Sequence, residues 1–487
     1  MKRIYSIAIV FSLLFLFSCS EDFLKLEPQG QVTPEQLAGL PESKLVGVFQ
    51  GKLNGVYGYL QKNENIDREP YTGIRSWDIV ADLYSSDMVM TRPGYEWYWN
   101  SYQVNDHVAT YRLPGGIWET SYNQIYTLNG ILETMPEIPE DLQLKSIYAQ
   151  AATLRAFYYF KLINWYQHTY LDSKNAPGVP VIISSNAEPT GRGTVQEVYD
   201  QIIADLDGAT EAFSDPEIAA LPNTAVNPNV TAGLYAQVAI TMGDYQKAAQ
   251  KAAFAKDGFP LMSRDEWLGG FHTITNPEWM WALEINSETT GYYDSFFSHV
   301  SNVDPGYAGA IQMYKIMDAA LFAQIDKTDC RYEAFSDNGE AFNFKFYDDP
   351  AVSGDWVSPY VFMRSAEMYL IEAEGKARSG DESGAKQVLA DLIKARCNGN
   401  DPYNISSLGG QSLLDMIHTQ ARIELWGEGK SLFYAKRFKR TMVRNYTGTN
   451  HAEILDNYLY NDPKLLMLIP QDEINNNPEI DESDQNL

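Results

Sequence analysis

Cysteine is scarce in this chain, whose 487 residues include only Cys19, Cys330 and Cys397. Three cysteines are too few for the disulfide framework on which small secreted domains depend. A hydrophobic core must therefore stabilise the fold, and hydrophobic residues, at 45% of the sequence, are sufficient for one. The sequence leaves open whether Cys330 and Cys397 pair in an oxidising compartment.

Basic residues are also few, because 37 Lys and Arg stand against 64 Asp and Glu, for a formal net charge of −27. A surface with this excess of negative charge repels the phosphate backbone of DNA and RNA. We therefore expect no nucleic-acid partner. Aromatic residues, by contrast, reach 13% and include 32 Tyr and 10 Trp. Both side chains combine an apolar ring with a polar tip, which suits contact with sugars or peptides.

Recognisable catalytic motifs are missing. The six histidines are scattered without a His-x-x-x-His pair, and the sequence has no Gly-x-Ser-x-Gly elbow. No two of the many carboxylates stand out as the acid–base pair of a glycosidase. We expect a binding protein rather than an enzyme, with no cofactor and no metal. A glycan-degrading enzyme and a purely structural scaffold are the alternative classes.

The first residues have the features of a lipoprotein signal peptide. Lys2 and Arg3 precede an apolar run over residues 7–17, which is too short to span a bilayer as a helix. The run ends at Leu16-Phe17-Ser18-Cys19, which resembles the bacterial lipobox. We expect residues 1–18 to be removed and acylation of Cys19 to anchor the chain to a membrane. The alternative is ordinary secretory cleavage beside a chance cysteine.

The rest of the sequence is dominated by helical periodicity. One apolar stripe has spacings of three and four and comprises Leu154, Phe157, Tyr158, Leu162 and Trp165. A second comprises Ile202, Leu206, Ala209 and Phe213. Thr194 is positioned to cap the helix that carries the second stripe. These patterns predict a mainly α fold.

Two segments share a helix–turn–helix pattern. Gly243-Asp244 precedes Ala248, and Gly380-Asp381 precedes Ala385, so that Gly and Ala lie five apart in both segments. This arrangement is typical of tetratricopeptide repeats, in which the small Ala lets two helices pack closely. The distance between the two units along the chain suggests that other helical pairs separate them in the stack.

The predicted organisation is a tetratricopeptide-like helical superhelix interrupted by loop-rich excursions. Its helical frame covers about residues 44–60, 117–257 and 361–397. The excursions cover about residues 63–116, 258–359 and 398–487, which are rich in Gly, Pro, Asn and aromatics. Loops on a rigid frame are where binding groups usually lie, so we expect the ligand site there.

At this level of detail the chain resembles a known family. The motifs that carry the resemblance are Asp22-Phe23-Leu24, Asn54-Gly55-Val56-Tyr57, Leu154-Arg155-Ala156-Phe157-Tyr158-Tyr159-Phe160, Met363-Arg364-Ser365-Ala366-Glu367, Arg422-Ile423-Glu424-Leu425, Glu428-Gly429 and Leu468-Ile469-Pro470. They occur along essentially the whole chain, in the order found in the SusD/RagB family of Bacteroidetes outer-membrane lipoproteins. One departure is Glu374-Gly375, where the family usually has Glu-Ala.

The resemblance implies a SusD-like domain over residues 19–487, outer-membrane localisation and a nutrient-binding function. It also implies a partner, a SusC-like TonB-dependent transporter that receives the captured ligand. Ser20-Glu21-Asp22 resembles the acidic signal that directs such lipoproteins to the cell surface. Oligosaccharide is the expected ligand, and peptide is the alternative within the same family.

The densest aromatic run contains Trp97, Tyr98, Trp99 and Asn100 in the first excursion. On an extended segment Trp97 and Trp99 would point the same way, and their faces could stack on sugar rings. Asn100 could bridge neighbouring hydroxyls. The resemblance supports this location, because glycan-binding members place ligand aromatics in this part of the chain. Burial of the run beneath a loop is the alternative.

A second aromatic cluster lies in the middle excursion, where Tyr292, Tyr293, Phe296 and Phe297 follow Gly291. We include these rings among the candidate ligand contacts. Arg75 and Asp78 are additional polar candidates. Trp279 and Trp281 lie in a stretch that resembles a structural strand of the family and are expected in the core.

Overall fold

Long helices form the frame of the protein. The computed structural model describes residues 40–61, 73–94, 97–289, 292–303, 307–347, 356–452 and 455–486. The predicted signal peptide, Cys19 and the acidic residues after it lie outside these ranges. Glu42–Leu487 form one compact unit. No helix in the described ranges has the length and apolar character needed to cross a bilayer.

The first part of the chain contributes one short strand and most of the long helices. In chain order these elements are α1 (Glu42–Gln61), α2 (Gly73–Tyr84), β1 (Met88–Met90), α3 (Trp99–Tyr102), α4 (Arg112–Leu132), α5 (Leu142–Tyr166), α6 (Tyr170–Ser173), α7 (Val195–Ala212), α8 (Pro228–Met242) and α9 (Tyr245–Ala255). Helix α5 is the centre of this group, because α1, α4 and α7 all pack on it. Every residue of the predicted 154–165 stripe is buried, as the periodicity required.

The capping signals read from the sequence are present. The Thr194 hydroxyl accepts from the Glu197 amide and the Glu197 carboxylate accepts from the Thr194 amide, which closes a capping box at the start of α7. Gly243 ends α8 in the left-handed conformation with φ 83°, and the Asp244 side chain caps α9. The predicted turn between two packed helices is therefore confirmed.

The next segment is an insertion of short elements between the two predicted repeat units. It contains α10 (Arg264–Leu268), β2 (Trp279–Leu283), a 3₁₀ turn (Tyr292–Asp294), α11 (Phe296–Val300), α12 (Tyr307–Ala310), β3 (Lys315–Met317), α13 (Ala319–Phe322), α14 (Cys330–Ala334), β4 (Ser336–Asp337) and β5 (Glu340–Ala341). Trp279 and Trp281 of β2 are buried, as expected.

The chain then returns to the helical frame. The remaining elements are β6 (Tyr360–Arg364), α15 (Ser365–Arg378), α16 (Glu382–Arg396), α17 (Gly410–Glu424), α18 (Ser431–Arg437) and α19 (Gln471–Asn476), with short 3₁₀ turns between them. Gly380 has φ 94° and Asp381 caps α16, so the second Gly-Asp turn is also confirmed.

Two expectations about the organisation are wrong. Helix α9 of the first repeat unit packs directly on α15 of the second, so no other helical pair separates them. The helical frame does not end at residue 397, because α17, in the region predicted as a loop-rich excursion, packs on α15 and extends the frame. The first expectation is wrong because separation along the sequence does not measure separation in space here. The whole insertion leaves the helical stack after α9 and returns to the same place at α15.

Gly375 explains how closely α9 and α15 approach each other. A Cβ atom at this position would lie 2.6 Å from the Tyr245 backbone oxygen and 3.0 Å from the Ala249 nitrogen. Those distances are too short for any side chain, so glycine at this position is a steric requirement of the contact between the two helices.

Three small antiparallel pairs connect the insertion to itself and to the frame. Strand β2 pairs with β6, β1 with β3, and β4 with β5. The β2–β6 pair lies at the base of the insertion, since β6 leads directly into α15. The ladder therefore connects the end of the insertion, where it rejoins the frame, to a strand within the insertion.

A buried network of charges also joins the insertion to the frame. Its members are Asp329, Arg331, Lys345, Glu278, Arg364, Arg396, Glu424 and Glu428. The Glu424 carboxylate lies at its centre. It forms salt bridges with Arg331 at 3.0 Å, Arg364 at 2.7 Å and Arg396 at 2.8 Å. Burial raises the pKa of Glu424, but the three guanidinium groups outweigh burial and hold this pKa well below its usual value.

Cys330 and Cys397 are both free and buried in the structure. Burial raises the pKa of the Cys330 thiol to about 12 and also raises that of Cys397. The two side chains act as small apolar groups in the core, and the fold does not use them as a cross-link.

Candidate functional site

Four aromatic rings form a continuous row at the surface, which we call the aromatic row. Its members are Trp97, Tyr307, Tyr293 and Trp356. The ring centroids are 5.0 Å apart for Trp97 and Tyr307, 4.9 Å for Tyr307 and Tyr293, and 5.4 Å for Tyr293 and Trp356. Successive planes are tilted by 45° to 58°, so the ring faces turn along the row.

The rings of this row remain accessible. The Tyr293 side chain is 56% exposed, and the other three residues are half-buried. Each ring comes from a different segment: Trp97 precedes α3, Tyr293 lies in the 3₁₀ turn, Tyr307 begins α12, and Trp356 precedes β6. A site assembled in this way depends on the whole insertion being folded.

Below the row, His299 and Lys315 form a buried support. The His299 ring meets Trp97 edge-on, with centroids 5.3 Å apart and planes at 90°. Lys315 of β3 donates from Nζ to the His299 backbone oxygen at 2.8 Å. Burial lowers the pKa of Lys315 to about 7 and lowers the pKa of His299 well below its usual value, so the imidazole is neutral. Packing and one hydrogen bond therefore hold the Trp97 end of the row.

The expectation that Trp97 and Trp99 face the same way is wrong. Tyr98 adopts a left-handed conformation with φ 57°, and Trp99 begins helix α3 rather than continuing an extended segment. Trp99 is only 7% exposed and packs on Tyr102, with ring centroids 5.3 Å apart. Tyr98 is buried, and Asn100 is half-buried on α3. Among residues 97–100, which the structure describes, Trp97 alone belongs to the aromatic row.

The second predicted cluster is divided in the same way. Tyr293 joins the aromatic row, while Phe296 and Phe297 are buried in the core. Phe296 packs on Tyr360 with ring centroids 4.6 Å apart. Tyr292 begins the 3₁₀ turn, and its side chain lies outside what the structure describes.

The two polar candidates are interior residues. Arg75 is buried in α2 and donates to the Gln61 backbone oxygen at 2.9 Å. Burial lowers the pKa of Arg75, and the Asp294 carboxylate opposes that effect. Asp78 is buried and accepts from Lys161 at 2.8 Å and from the Tyr360 hydroxyl at 2.9 Å. Both residues therefore form hydrogen bonds in the interior and are not surface ligand contacts.

Sequence reasoning missed Tyr307 and Trp356. Each is an isolated aromatic in a stretch rich in Gly, Pro and Asp, without a neighbouring ring or a periodic pattern. Their position in loops of the middle excursion was the only available signal. In the described ranges no group of three or more His, Cys, Asp or Glu side chains is placed to hold a metal ion.

These features define a class of protein. A rigid helical frame carries an inserted region, and that region presents an accessible row of aromatic faces. Loops on a rigid frame and pockets lined with aromatic side chains are typical of ligand-binding sites.

Comparison with known proteins gives the family. Residues 42–239 match a family model described as starch-binding associating with outer membrane, and residues 262–487 match the model of the SusD family. The chain belongs to the SusD/RagB family. The SusD-like protein P2 of Formosa agariphila is 26% identical, over 96% of both chains. The SusD-like protein P38 of the same organism is 24% identical, over 88% of this chain and 90% of its own.

Solved structures share the fold. A SusD-like carbohydrate binding protein from Bacteroides vulgatus has a TM-score of 0.76 and 24% identity, covering 90% of this chain and 98% of its own. A SusD superfamily protein from Bacteroides thetaiotaomicron has a TM-score of 0.71 and 22% identity, covering 91% of this chain and 99% of its own. The helical SusD-like fold expected from the sequence is confirmed.

Proposed function

We propose that this protein is a surface-exposed, lipid-anchored receptor that captures oligosaccharide on the aromatic row. The continuous row of four accessible rings carries the proposal. Aromatic faces are apolar surfaces that match the C–H faces of sugar rings, and their polar tips can bond hydroxyl groups. The changing tilt along the row suits a ligand with several rings that curves as it binds.

Family membership supports the same ligand class. One matching family model is described as starch-binding, and one structural neighbour is described as a carbohydrate binding protein. A peptide ligand remains the competing proposal, and it predicts a different dependence on the rings. Sugar binding depends mainly on ring faces, whereas an extended peptide gains affinity mainly from backbone hydrogen bonds.

The direct test is calorimetric titration of the full chain with a panel of neutral oligosaccharides and, separately, with a tryptic digest of casein. The Trp97→Ala/Tyr293→Ala variant should bind its oligosaccharide about tenfold or more weakly, since losing about 1.4 kcal/mol gives a factor of ten. Tyr111→Ala is the matched control, because Tyr111 is an exposed aromatic outside the row. Saturable peptide binding without any sugar binding would reject the glycan proposal.

Lipid anchoring at Cys19 is the second component of the proposal, and it is supported by the lipobox-like sequence. Labelled palmitate should enter the wild type and not Cys19→Ala.

Surface display is supported by Glu21 and Asp22, and added protease should digest the protein on intact cells. Replacement of both acids by Ala should leave the protein in the membrane but protected. Labelling of Cys19→Ala, or digestion of the double variant, would contradict the corresponding component.

Transfer of ligand to a SusC-like TonB-dependent transporter is the third component, and it is supported by family membership. Mild detergent extraction of native membranes should co-purify a large outer-membrane protein together with bound ligand. Mass spectrometry of that complex would identify the ligand. Repeated isolation of the chain without any partner would count against transfer.

A further inference from the structure

A second cavity lies apart from the aromatic row, where the end of α2 meets α13, α17 and α18. We call it the polar cavity. Its volume is about 380 Å³. That size lies within the range of about 300–1,000 Å³ that is typical of small-molecule sites. None of the four rings of the aromatic row lines it.

Two guanidinium–carboxylate pairs line the polar cavity. Arg422 donates from Nε and Nη2 to Asp87, at 2.9 Å and 2.6 Å, and Arg440 pairs with Asp415. The Arg422 side chain is 20% exposed, so part of its guanidinium group remains accessible from the cavity. A fixed pair of this kind offers donors and acceptors side by side, which matches neighbouring hydroxyl groups of a sugar.

Further hydrogen-bonding groups complete the lining. Ser431 and Thr419 contribute hydroxyls, and His418 contributes an imidazole. The Ser431 amide donates to buried Asp82 at 3.1 Å, which fixes Ser431 at the start of α18. His418 Nε2 is buried and has no hydrogen-bond partner within the described residues. That nitrogen is out of a ligand's reach, so the polar groups that the cavity offers are the Thr419 hydroxyl and the partly exposed Arg422 and Arg440.

The charges of the lining favour a neutral ligand. Three carboxylates (Asp87, Asp318 and Asp415) outnumber the two guanidinium groups of the lining. An anionic ligand would therefore gain little electrostatic attraction in the cavity. The carboxylates are already satisfied, because Asp318 accepts from the Tyr446 hydroxyl at 2.6 Å and from the Leu321 amide at 2.9 Å. A cation would have to compete with these bonds and with the two arginines.

A short ribbon connects the polar cavity with the support of the aromatic row. The Asp318 amide donates to the Asp87 backbone oxygen at 3.0 Å at one end of the β1–β3 pair. At the other end Lys315, which holds His299, pairs with Met90. Three residues of strand span about 10 Å, so the two sites are close but separate.

We propose that the polar cavity binds a single neutral sugar ring, as a second site independent of the aromatic row. The cavity itself indicates a neutral polyhydroxylated ligand, and the choice of sugar among such ligands rests on the proposed function. The few atoms of one ring limit the dissociation constant to on the order of 1 mM.

The test is saturation-transfer NMR on the full chain with glucose, galactose, mannose and xylose. Thr419→Trp should abolish the signal of the bound sugar, because the half-buried Thr419 side chain lines the cavity and an indole there would fill it. Gln387→Trp on the exposed face of α16 is the matched control and should leave the signal unchanged. Arg440→Ala, at the partly exposed rim, should weaken binding by on the order of tenfold. Thermal melts confirm that each variant is folded.

The aromatic-row variant Trp97→Ala/Tyr293→Ala separates this proposal from the proposed function. It should retain monosaccharide binding while losing affinity for oligosaccharide. Three outcomes would overturn the second site: no transfer to any of the four sugars, a signal that survives in folded Thr419→Trp, or a signal that disappears in the aromatic-row variant. Monosaccharide binding without any oligosaccharide binding would reject the proposed function alone.

Discussion

Trp97 and Tyr307 are far apart in sequence, yet their rings meet with centroids 5.0 Å apart and planes tilted by 45°. Tyr307 also contacts Tyr293, so it connects the two parts of the aromatic row. Two aromatic segments that the sequence presents separately are thereby joined into one surface.

Tyr307→Ala should interrupt this surface and weaken oligosaccharide binding by about fivefold, equivalent to about 1 kcal/mol for one ring. Tyr307→Phe keeps the ring and should retain most of the affinity. Calorimetric titration of both variants checks the expectation. Equal loss in both would show that the hydroxyl, and not the ring face, is what the ligand uses.

Glu424→Gln should destabilise the protein strongly, because it leaves three buried guanidinium groups without their shared carboxylate. Removal of one partner from a buried charge pair typically costs about 3–5 kcal/mol. Urea unfolding measures the change in the free energy of unfolding. Glu333→Gln is the control: it breaks a surface pair with Arg264 and should cost at most about 1 kcal/mol.

The same carboxylate makes stability depend on pH. Because the folded pKa of Glu424 is lowered, its stabilising contribution is complete above its ordinary pKa of 4.5 and is lost as pH falls through the lower folded value. The difference in unfolding free energy between wild type and Glu424→Gln should therefore be constant near neutral pH and shrink below about pH 4.5. Urea unfolding at a series of pH values tests this, and a difference that grows on acidification would contradict it.

Gly375→Ala should destabilise the contact between α9 and α15, although alanine is otherwise the better helix former. The new Cβ would press against the Tyr245 oxygen and the Ala249 nitrogen, and overpacking of this kind costs about 1–3 kcal/mol. A matched Gly115→Ala change in α4, where a Cβ meets nothing within 4 Å, should be neutral or stabilising. Thermal melts of the two variants give the comparison.

The thiols of Cys330 and Cys397 should not react with a thiol reagent while the protein is folded. Both are buried, and burial raises their pKa, so the reactive thiolate is scarce. Addition of urea should expose both thiols together. A quantitative thiol assay follows the change, and rapid labelling of the folded protein would contradict the expected burial.

Local patterns were sufficient to predict the helices and their turns. The 154–165 stripe is buried, and both Gly-Asp turns connect packed helices, because these features depend on neighbouring residues alone. The contact between α9 and α15 depends instead on how the insertion leaves and rejoins the frame. Patterns among neighbouring residues therefore could not predict the contact between α9 and α15.

The candidate site was predictable only in part for the same reason. Trp97 and Tyr293 were identified from local aromatic density, but Tyr307 and Trp356 are isolated in sequence and join the row only through tertiary packing. Trp99 was misplaced because the left-handed Tyr98 turns the chain before it. A single backbone angle decides which of two neighbouring indoles is accessible.

The direct contact between α9 and α15 makes the insertion a cassette whose two ends meet. A segment that begins and ends at one place, with the β2–β6 ladder beside its second end, is the kind of insertion that a frame can accept without being rebuilt. The buried charges set the condition for exchange of the cassette. Glu278, Arg331 and Lys345 come from the cassette and pair with residues of the frame, and Asp329 of the cassette pairs with Arg331, so a graft must carry these four charges with it. Trp97 lies outside the cassette, so an exchange would replace three of the four rings of the aromatic row and keep the fourth.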